Sequence, residues 1–132
     1  MSQQNVEIVL RSNALMNAGE IEAALRLVHP EIEWVVAKDH PEARTIVGRE
    51  AVSEYRAEWQ QMLPDVRFDA DRWLDAGEQV VAIGSARGTG IDSGAQLQVP
   101  IAFVFTLRDG LISRVEEYID PHDALDAAGL TE

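Results

Sequence analysis

Leu97-Gln98-Val99-Pro100-Ile101-Ala102-Phe103-Val104-Phe105-Thr106-Leu107, then Arg108-Asp109-Gly110, then Leu111-Ile112-Ser113-Arg114-Val115-Glu116-Glu117-Tyr118-Ile119-Asp120: this stretch decides the fold. Its first part is a long apolar run rich in β-branched and aromatic residues, the composition of a buried strand. Asp109-Gly110 signals a tight hairpin, because Gly reaches positive φ without steric cost. The second part is then the antiparallel partner. Two long paired strands form a backbone onto which the earlier chain can pack.

Strand alternation sorts the second partner into two faces. Leu111, Ser113, Val115, Glu117 and Ile119 are expected on one, and Ile112, Arg114, Glu116, Tyr118 and Asp120 on the other. Glu117 is thus a carboxylate between Val115 and Ile119. Such a group is costly to bury unless it is paired, wet or protonated. Either it reaches water at a strand end, or it is the acid or base of a pocket. In the second case desolvation disfavours its charged form, and a Gln in its place is expected to stabilise the fold.

Upstream, Gln79 to Gly90 reads as a strand whose glycines Gly84, Gly88 and Gly90 mark bulges or bends. They lack dinucleotide-loop spacing, and no helix follows them. Val66 to Asp75 reads as the strand before it, with Ala76-Gly77-Glu78 as the turn. Gly48 to about Leu63 reads as a long helix, with Val52, Tyr55, Trp59 and Met62 on one face. Tyr55 and Trp59 either pack the core or line a pocket. Ala37 to Val47 reads as a loop, a candidate lid, and Glu31 to Val36 as a strand that sets Ile32 and Trp34 on one side. Before it come a helix from Glu20 to Val28, stopped by His29-Pro30, and an N-terminal helix ending at Asn17-Ala18-Gly19. A short helix starts at Pro121. The chain, 1–132, reads as one α+β domain: a cone-shaped, curved antiparallel β-sheet wrapped around helices, with an internal pocket at its open end.

A length of 132 residues suits one core, and 46% hydrophobic residues argues against disorder. A net charge of -12 argues against nucleic acid and anionic membrane as partners. It also repels anions at long range, so a neutral, apolar small molecule is the expected ligand. There is no cysteine, hence no disulfide, thiol nucleophile or thiolate metal site. No leader-like start and no run of ~20 apolar residues is visible, so a cytoplasmic protein is expected. His29, His40 and His122 are scattered and lack metal-ligand spacing; no metal and no cofactor is expected. No Gly-x-Ser-x-Gly elbow is present.

The remaining chemistry centres on Glu117. Trp34, Tyr55, Trp59, Val99, Ile101, Phe103 and Ile119 are its candidate neighbours, and His40 is a loop residue that can face a ligand. Glu117 and Tyr55 are the candidate catalytic residues. One acid in an aromatic and aliphatic cavity suits proton transfer on an apolar substrate.

Gly48-Arg49-Glu50-Ala51-Val52, Arg87-Gly88-Thr89-Gly90 with Ser93-Gly94, Arg108-Asp109-Gly110-Leu111-Ile112, and the ending Glu116-Glu117-Tyr118-Ile119-Asp120 with Ala124 to Leu130 resemble the SnoaL-like branch of the nuclear transport factor 2-like superfamily. The resemblance covers nearly the whole chain. It implies an α+β cone, often a homodimer through the outer sheet face, and relatives that include polyketide cyclases, ketosteroid isomerases and limonene epoxide hydrolases. In the epoxide hydrolases an Arg and two Asp activate water. Glu117 matches the Asp of the last strand, but the other Asp and the Arg fall on Ala86 and Gly84, and the water-holding Tyr and Asn fall near Trp34 and Val36. The resemblance therefore implies a pocket protein, either an isomerase, cyclase or hydratase acting on a ring-bearing substrate, or a non-catalytic binder, or a dimeric module with a vestigial cavity.

Overall fold

The computed structural model describes residues 2–130. The elements run α1 (Ser2–Asn17), α2 (Ile21–Leu25), β1 (Val28–Val35), β2 (Thr45–Val47), α3 (Arg49–Met62), β3 (Arg67–Ala76), β4 (Gln79–Thr89), β5 (Gln96–Arg108), β6 (Leu111–Tyr118) and α4 (Pro121–Ala127). The strands form one sheet in the order β2-β1-β6-β5-β4-β3. The hairpin at Asp109-Gly110 is present, with Asp109 and Gly110 both at positive φ.

The α+β cone expected from the chain is what forms, with a correction to its sheet. β1 joins β6 in parallel, while the other neighbours are antiparallel, so the sheet is mixed. Hairpins announce themselves through a turn, but β1 and β6 meet across most of the chain and have no local signal. The end of the expected loop, Thr45-Ile46-Val47, forms strand β2; it is β-branched throughout but too short to show a period. β1 also begins earlier than expected, so His29-Pro30 lies inside a strand and does not end a helix. Pro30 has no N–H to give, and there the ladder slips, from Val28↔Ile112 to Glu33↔Arg114.

Two bulges shape the inner face. In β6, Thr106 pairs with Arg114 and Leu107 with Ile112, which leaves Ser113 extra; its hydroxyl donates to the Thr106 carbonyl at 3.1 Å. The expected alternation fails at that point. Ile112, not Leu111, is fully buried and shares a hydrophobic cluster with Val115. In β3, Asp71 is the extra residue, between the pairs Ala70↔Gly84 and Arg72↔Ile83. A Cβ on Gly84 would lie 2.0 Å from the Asp69 carbonyl oxygen and 2.6 Å from the Ala70 Cα. Only glycine lets the two backbones approach this closely.

Both faces of the sheet carry a core. Val9 of α1, Val52 and Tyr55 of α3, and Val28, Ile32, Val80, Ile112 and Val115 of the strands pack on the concave side. Val81, Ala102 and Val104 pack on the convex side beneath Ala124 and Leu125 of α4. The helices are therefore not confined to one face, and the convex face is partly covered within the chain. Asp120 positions that last helix: its carboxylate accepts from the His122 N–H at 2.9 Å as an N-cap, with Pro121 in the first turn.

Candidate active site

Beyond the bulge at Ser113 the strand period is regular again, and Glu117 points inward opposite Phe103 of β5. Trp34 lies opposite Val115 on the neighbouring β1, one register step away. Tyr55 descends from α3. These placements bring three polar groups onto one carboxylate. The Trp34 indole Nε1 donates to Glu117 Oε2 at 2.6 Å, and the Tyr55 hydroxyl donates to the same oxygen at 2.9 Å. The Ala37 backbone N–H donates to Oε1 at 3.2 Å. Glu117 is 9% exposed and Tyr55 8%. The carboxylate is buried, as one of the two sequence readings required, but it accepts three hydrogen bonds rather than being bare. The premise for a stabilising Gln substitution is removed.

Charge and burial act together on the phenol. Burial first, and then the negative Glu117 beside it, push the Tyr55 pKa well above that of an ordinary tyrosine. Tyr55 therefore stays a neutral donor. The Arg44 guanidinium lies 5.6 Å from the ring centroid of Tyr55, a cation–π distance.

Around this cluster is a cavity of about 270 Å³. Trp34, His40, Tyr55, Trp59, Val99, Ile101, Phe103, Glu117 and Ile119, the nine residues singled out in the sequence, all line it. Trp34 packs against Tyr55 and Phe103 at centroid distances of 6.0 and 5.9 Å. Phe68 extends the aromatic wall, edge-on to Phe103 at 4.8 Å. His40 lies edge-on to Trp59 at 6.3 Å, and its Nδ1 accepts from the Glu42 N–H. Leu97, Val99 and Ile119 are nearly half exposed and form an apolar rim. Met62, expected on the buried face of α3, is 53% exposed because the helix ends there.

Several lining residues were not singled out in the sequence. The Ala37 N–H is a backbone donor, and no side-chain pattern announces it. Arg56 carried a usable signal: it lies four residues after Val52 and three before Trp59, on the shoulder of the apolar face. Its Nη2 donates to the carbonyls of Val66 (2.9 Å) and Met16 (3.4 Å). Arg67 and Arg87 also line the cavity and both meet Asp69, at 3.0 and 3.7 Å. The cavity expected to set one acid among aromatic and aliphatic side chains thus also carries three arginines, Arg56, Arg67 and Arg87. Tyr118 and Asp120 stay out of the cavity; the Tyr118 hydroxyl donates to Glu116 at 2.9 Å. Among the described residues, no three His, Cys, Asp or Glu side chains are grouped to hold a metal.

A curled mixed sheet around helices, with a carboxylate, a phenol and an indole meeting inside it, defines a cone-shaped pocket protein. The chain belongs to the SnoaL-like domain family, whose profile matches residues 9–115. It is similar to solved structures over nearly its full length. One is TerC co-crystallised with polyporic acid, at 25% identity and a TM-score of 0.77, covering 96% of this chain and 98% of that one. A nuclear transport factor 2-like protein from Burkholderia xenovorans LB400 has 27% identity and a TM-score of 0.74, with 97% of each chain covered. A protein with a ketosteroid isomerase-like fold from Catenulispora acidiphila DSM 44928, in complex with trimethylamine, has 23% identity and a TM-score of 0.75, covering 94% and 93%. No curated protein matches the sequence significantly. Among the described residues, no helix is long and apolar enough to cross a membrane.

Proposed function

We propose that this chain is a proton-transfer enzyme, an isomerase, cyclase or hydratase, acting on an apolar, ring-bearing substrate, with Glu117 as its acid–base residue. The observation that carries the reading is the placement of Glu117: a buried carboxylate beside the aromatic side chains of the cavity, oriented by Trp34 and Tyr55. A carboxylate offers about four acceptor sites, and three are taken here, with Oε1 holding only the longer bond to Ala37. Oε1 is therefore the oxygen left to meet a substrate. In the step envisaged, a C–H bond next to a substrate carbonyl breaks. The proton goes to Glu117, and the electron pair moves to the carbonyl oxygen as an enolate. Protonation of Glu117 weakens its hold on the Tyr55 hydroxyl, which is then free to donate to that oxygen.

The test does not need the natural substrate. α-Tetralone in D2O exchanges its α-protons slowly, and NMR follows the exchange. The wild-type protein is expected to accelerate it above the buffer rate, and Glu117→Gln to return it to that rate. Equal rates with both proteins would leave non-catalytic binding of an apolar ligand as the reading. That alternative draws support from the three hydrogen bonds that already hold Glu117. A vestigial cavity is disfavoured by the open space beside Glu117.

A homodimer through the outer sheet face also belongs to this proposal, as does a cytoplasmic location. Because α4 covers Val81, Ala102 and Val104, a dimer contact must use outer-face surface beyond α4, such as the polar patch where Arg114 bridges Glu33 and Glu116. Sedimentation at micromolar concentration is expected to give twice the 14.6 kDa chain mass; a monomer would rule the dimer out.

A further inference from the structure

We propose that Arg56 is an anion-binding subsite of the cavity, and that the ligand is an apolar ring compound carrying an acidic group, a carboxylate or an enolate, at the end away from Glu117. The inference rests on the cavity being a small-molecule site. Arg56 lines that cavity from α3. Among the described residues, its acceptors are two uncharged main-chain carbonyls, both reached through Nη2, and its buried Nε has none. Among the described residues, no carboxylate pairs with it, whereas the neighbouring Arg67 and Arg87 share Asp69. A guanidinium is always charged, and withdrawing it from water without a counter-charge is costly. Burial indeed pushes its pKa down. Joining α1 to α3 needs only a neutral donor such as an amide, so the contacts to Met16 and Val66 do not account for the charge.

Position gives the ligand a direction. Glu117 stands on β6, while Arg56 is bonded next to β3, three strands away in the sheet order. Phe103 of β5, opposite Glu117, and Phe68 of β3 form the aromatic wall between them. An anion is repelled by Glu117 at one end and held by the planar Arg56 fork at the other. A ring compound with one acidic group is thereby turned so that its far side meets the acid–base residue. The net charge of -12 does not oppose this at short range, because it is screened beyond about 8 Å in physiological salt.

2-Naphthoate and 2-naphthamide share a ring system and differ in charge. Titration calorimetry in 0.15 M salt is expected to show the wild type binding naphthoate about tenfold more tightly than the amide, as one charge-assisted contact allows. Arg56→Gln, which keeps a donor for the Met16 and Val66 carbonyls, is expected to bring the two within about twofold. Equal affinities in the wild type, or a preference that survives Arg56→Gln, would overturn the anion subsite and leave the pocket reading standing. Binding of neither probe would overturn both. Should Arg56→Gln fail to fold, a crystal structure of the wild type with 2-naphthoate decides. A carboxylate on the Arg56 guanidinium supports the proposal, and one placed elsewhere overturns it.

Discussion

The two faces of the sheet are packed by different rules. On the convex face, Val81, Ala102 and Val104 are wholly buried under α4. On the concave face, the core around Val9, Ile32 and Val80 gives way to a cavity that holds Glu117, Tyr55 and Arg56. One face is filled and the other is lined. The division runs through single strands: along β5, Ala102 and Val104 belong to the filled face, and Ile101 and Phe103 to the lined one. Truncation in a filled core loses transfer energy and opens a void. Truncation beside space that already exists loses less stability and changes what is bound. Stability and recognition thus rest on alternate residues of the same strands.

The largest expected effect falls on the sheet that separates the two faces. Gly84→Ala places a methyl group against the Asp69 and Ala70 main chain, atoms that cannot rotate away. A loss of about 3 kcal/mol is expected from urea unfolding, at the upper end of overpacking costs. A loss well under 1 kcal/mol would mean that the bulge at Asp71 shifts freely and does not pin the curvature.

The comparison itself is tested by a pair of truncations. Leu125→Ala empties part of the filled face and is expected to cost about 2–3 kcal/mol, the low end for a buried leucine because the short α4 can settle inward. Binding of 2-naphthoate should be unchanged. Phe103→Ala removes a larger side chain, which in a filled core costs about 3–5 kcal/mol. Here it borders the cavity, so a loss below about 2 kcal/mol is expected together with a clear loss of probe binding. If Leu125→Ala weakens binding as much as Phe103→Ala does, the two faces are not independent.

The legible part of the molecule was the part written in periodicities. The β5–β6 hairpin, the long α3 and the inward face of Val115, Glu117 and Ile119 followed from alternation, helical spacing and Asp109-Gly110. Where a bulge breaks the period, the reading broke with it: Ser113 moved Ile112 onto the inner face. The parallel β1–β6 pairing and the α4 cover depend on contacts between distant segments, which no local pattern encodes. The candidate site divides in the same way. Side chains on regular faces, with the loop residue His40, account for the nine predicted lining residues that meet at one cavity. A backbone donor, Ala37, and a charged side chain beside an apolar stripe, Arg56, were not.

A smaller effect sharpens the polar end of the lined face. Trp34, Tyr55 and the Ala37 backbone all donate to Glu117. Gln offers one carbonyl oxygen and a donor amide in place of two acceptor oxygens. The Tyr55 hydroxyl can turn to accept from the amide, but the indole and backbone N–H groups cannot. At least one bond is therefore weakened, and Glu117→Gln is expected to destabilise the protein by about 1–2 kcal/mol at pH 7. A Gln variant more stable than the parent would restore the sequence-based expectation of an unpaired carboxylate.

The smallest effect changes sign with pH, which makes it the most diagnostic. Tyr55→Phe removes the hydroxyl that donates to Glu117 and is expected to cost about 1 kcal/mol at pH 7. In the folded protein that hydroxyl holds its proton well above the ordinary value of 10.0, because it is buried and faces a negative charge. In the unfolded chain it titrates normally. Unfolding above pH 10 therefore releases a proton, and the stability present below pH 10 falls as pH rises towards the folded value. By pH 11 the unfolded chain has gained about 1.4 kcal/mol from this ionisation. Tyr55→Phe has no such proton to release, while Tyr118, itself pushed up to about 12 by burial and then by Glu116, is common to both proteins and cancels. The wild type should thus be the more stable at pH 7, and its advantage should vanish between pH 10 and pH 11. Urea unfolding of the two proteins across that range reads the difference directly. A constant difference would mean that Tyr55 ionises as easily in the fold as in the open chain, and that the lined face is wetter around Glu117 than its geometry implies.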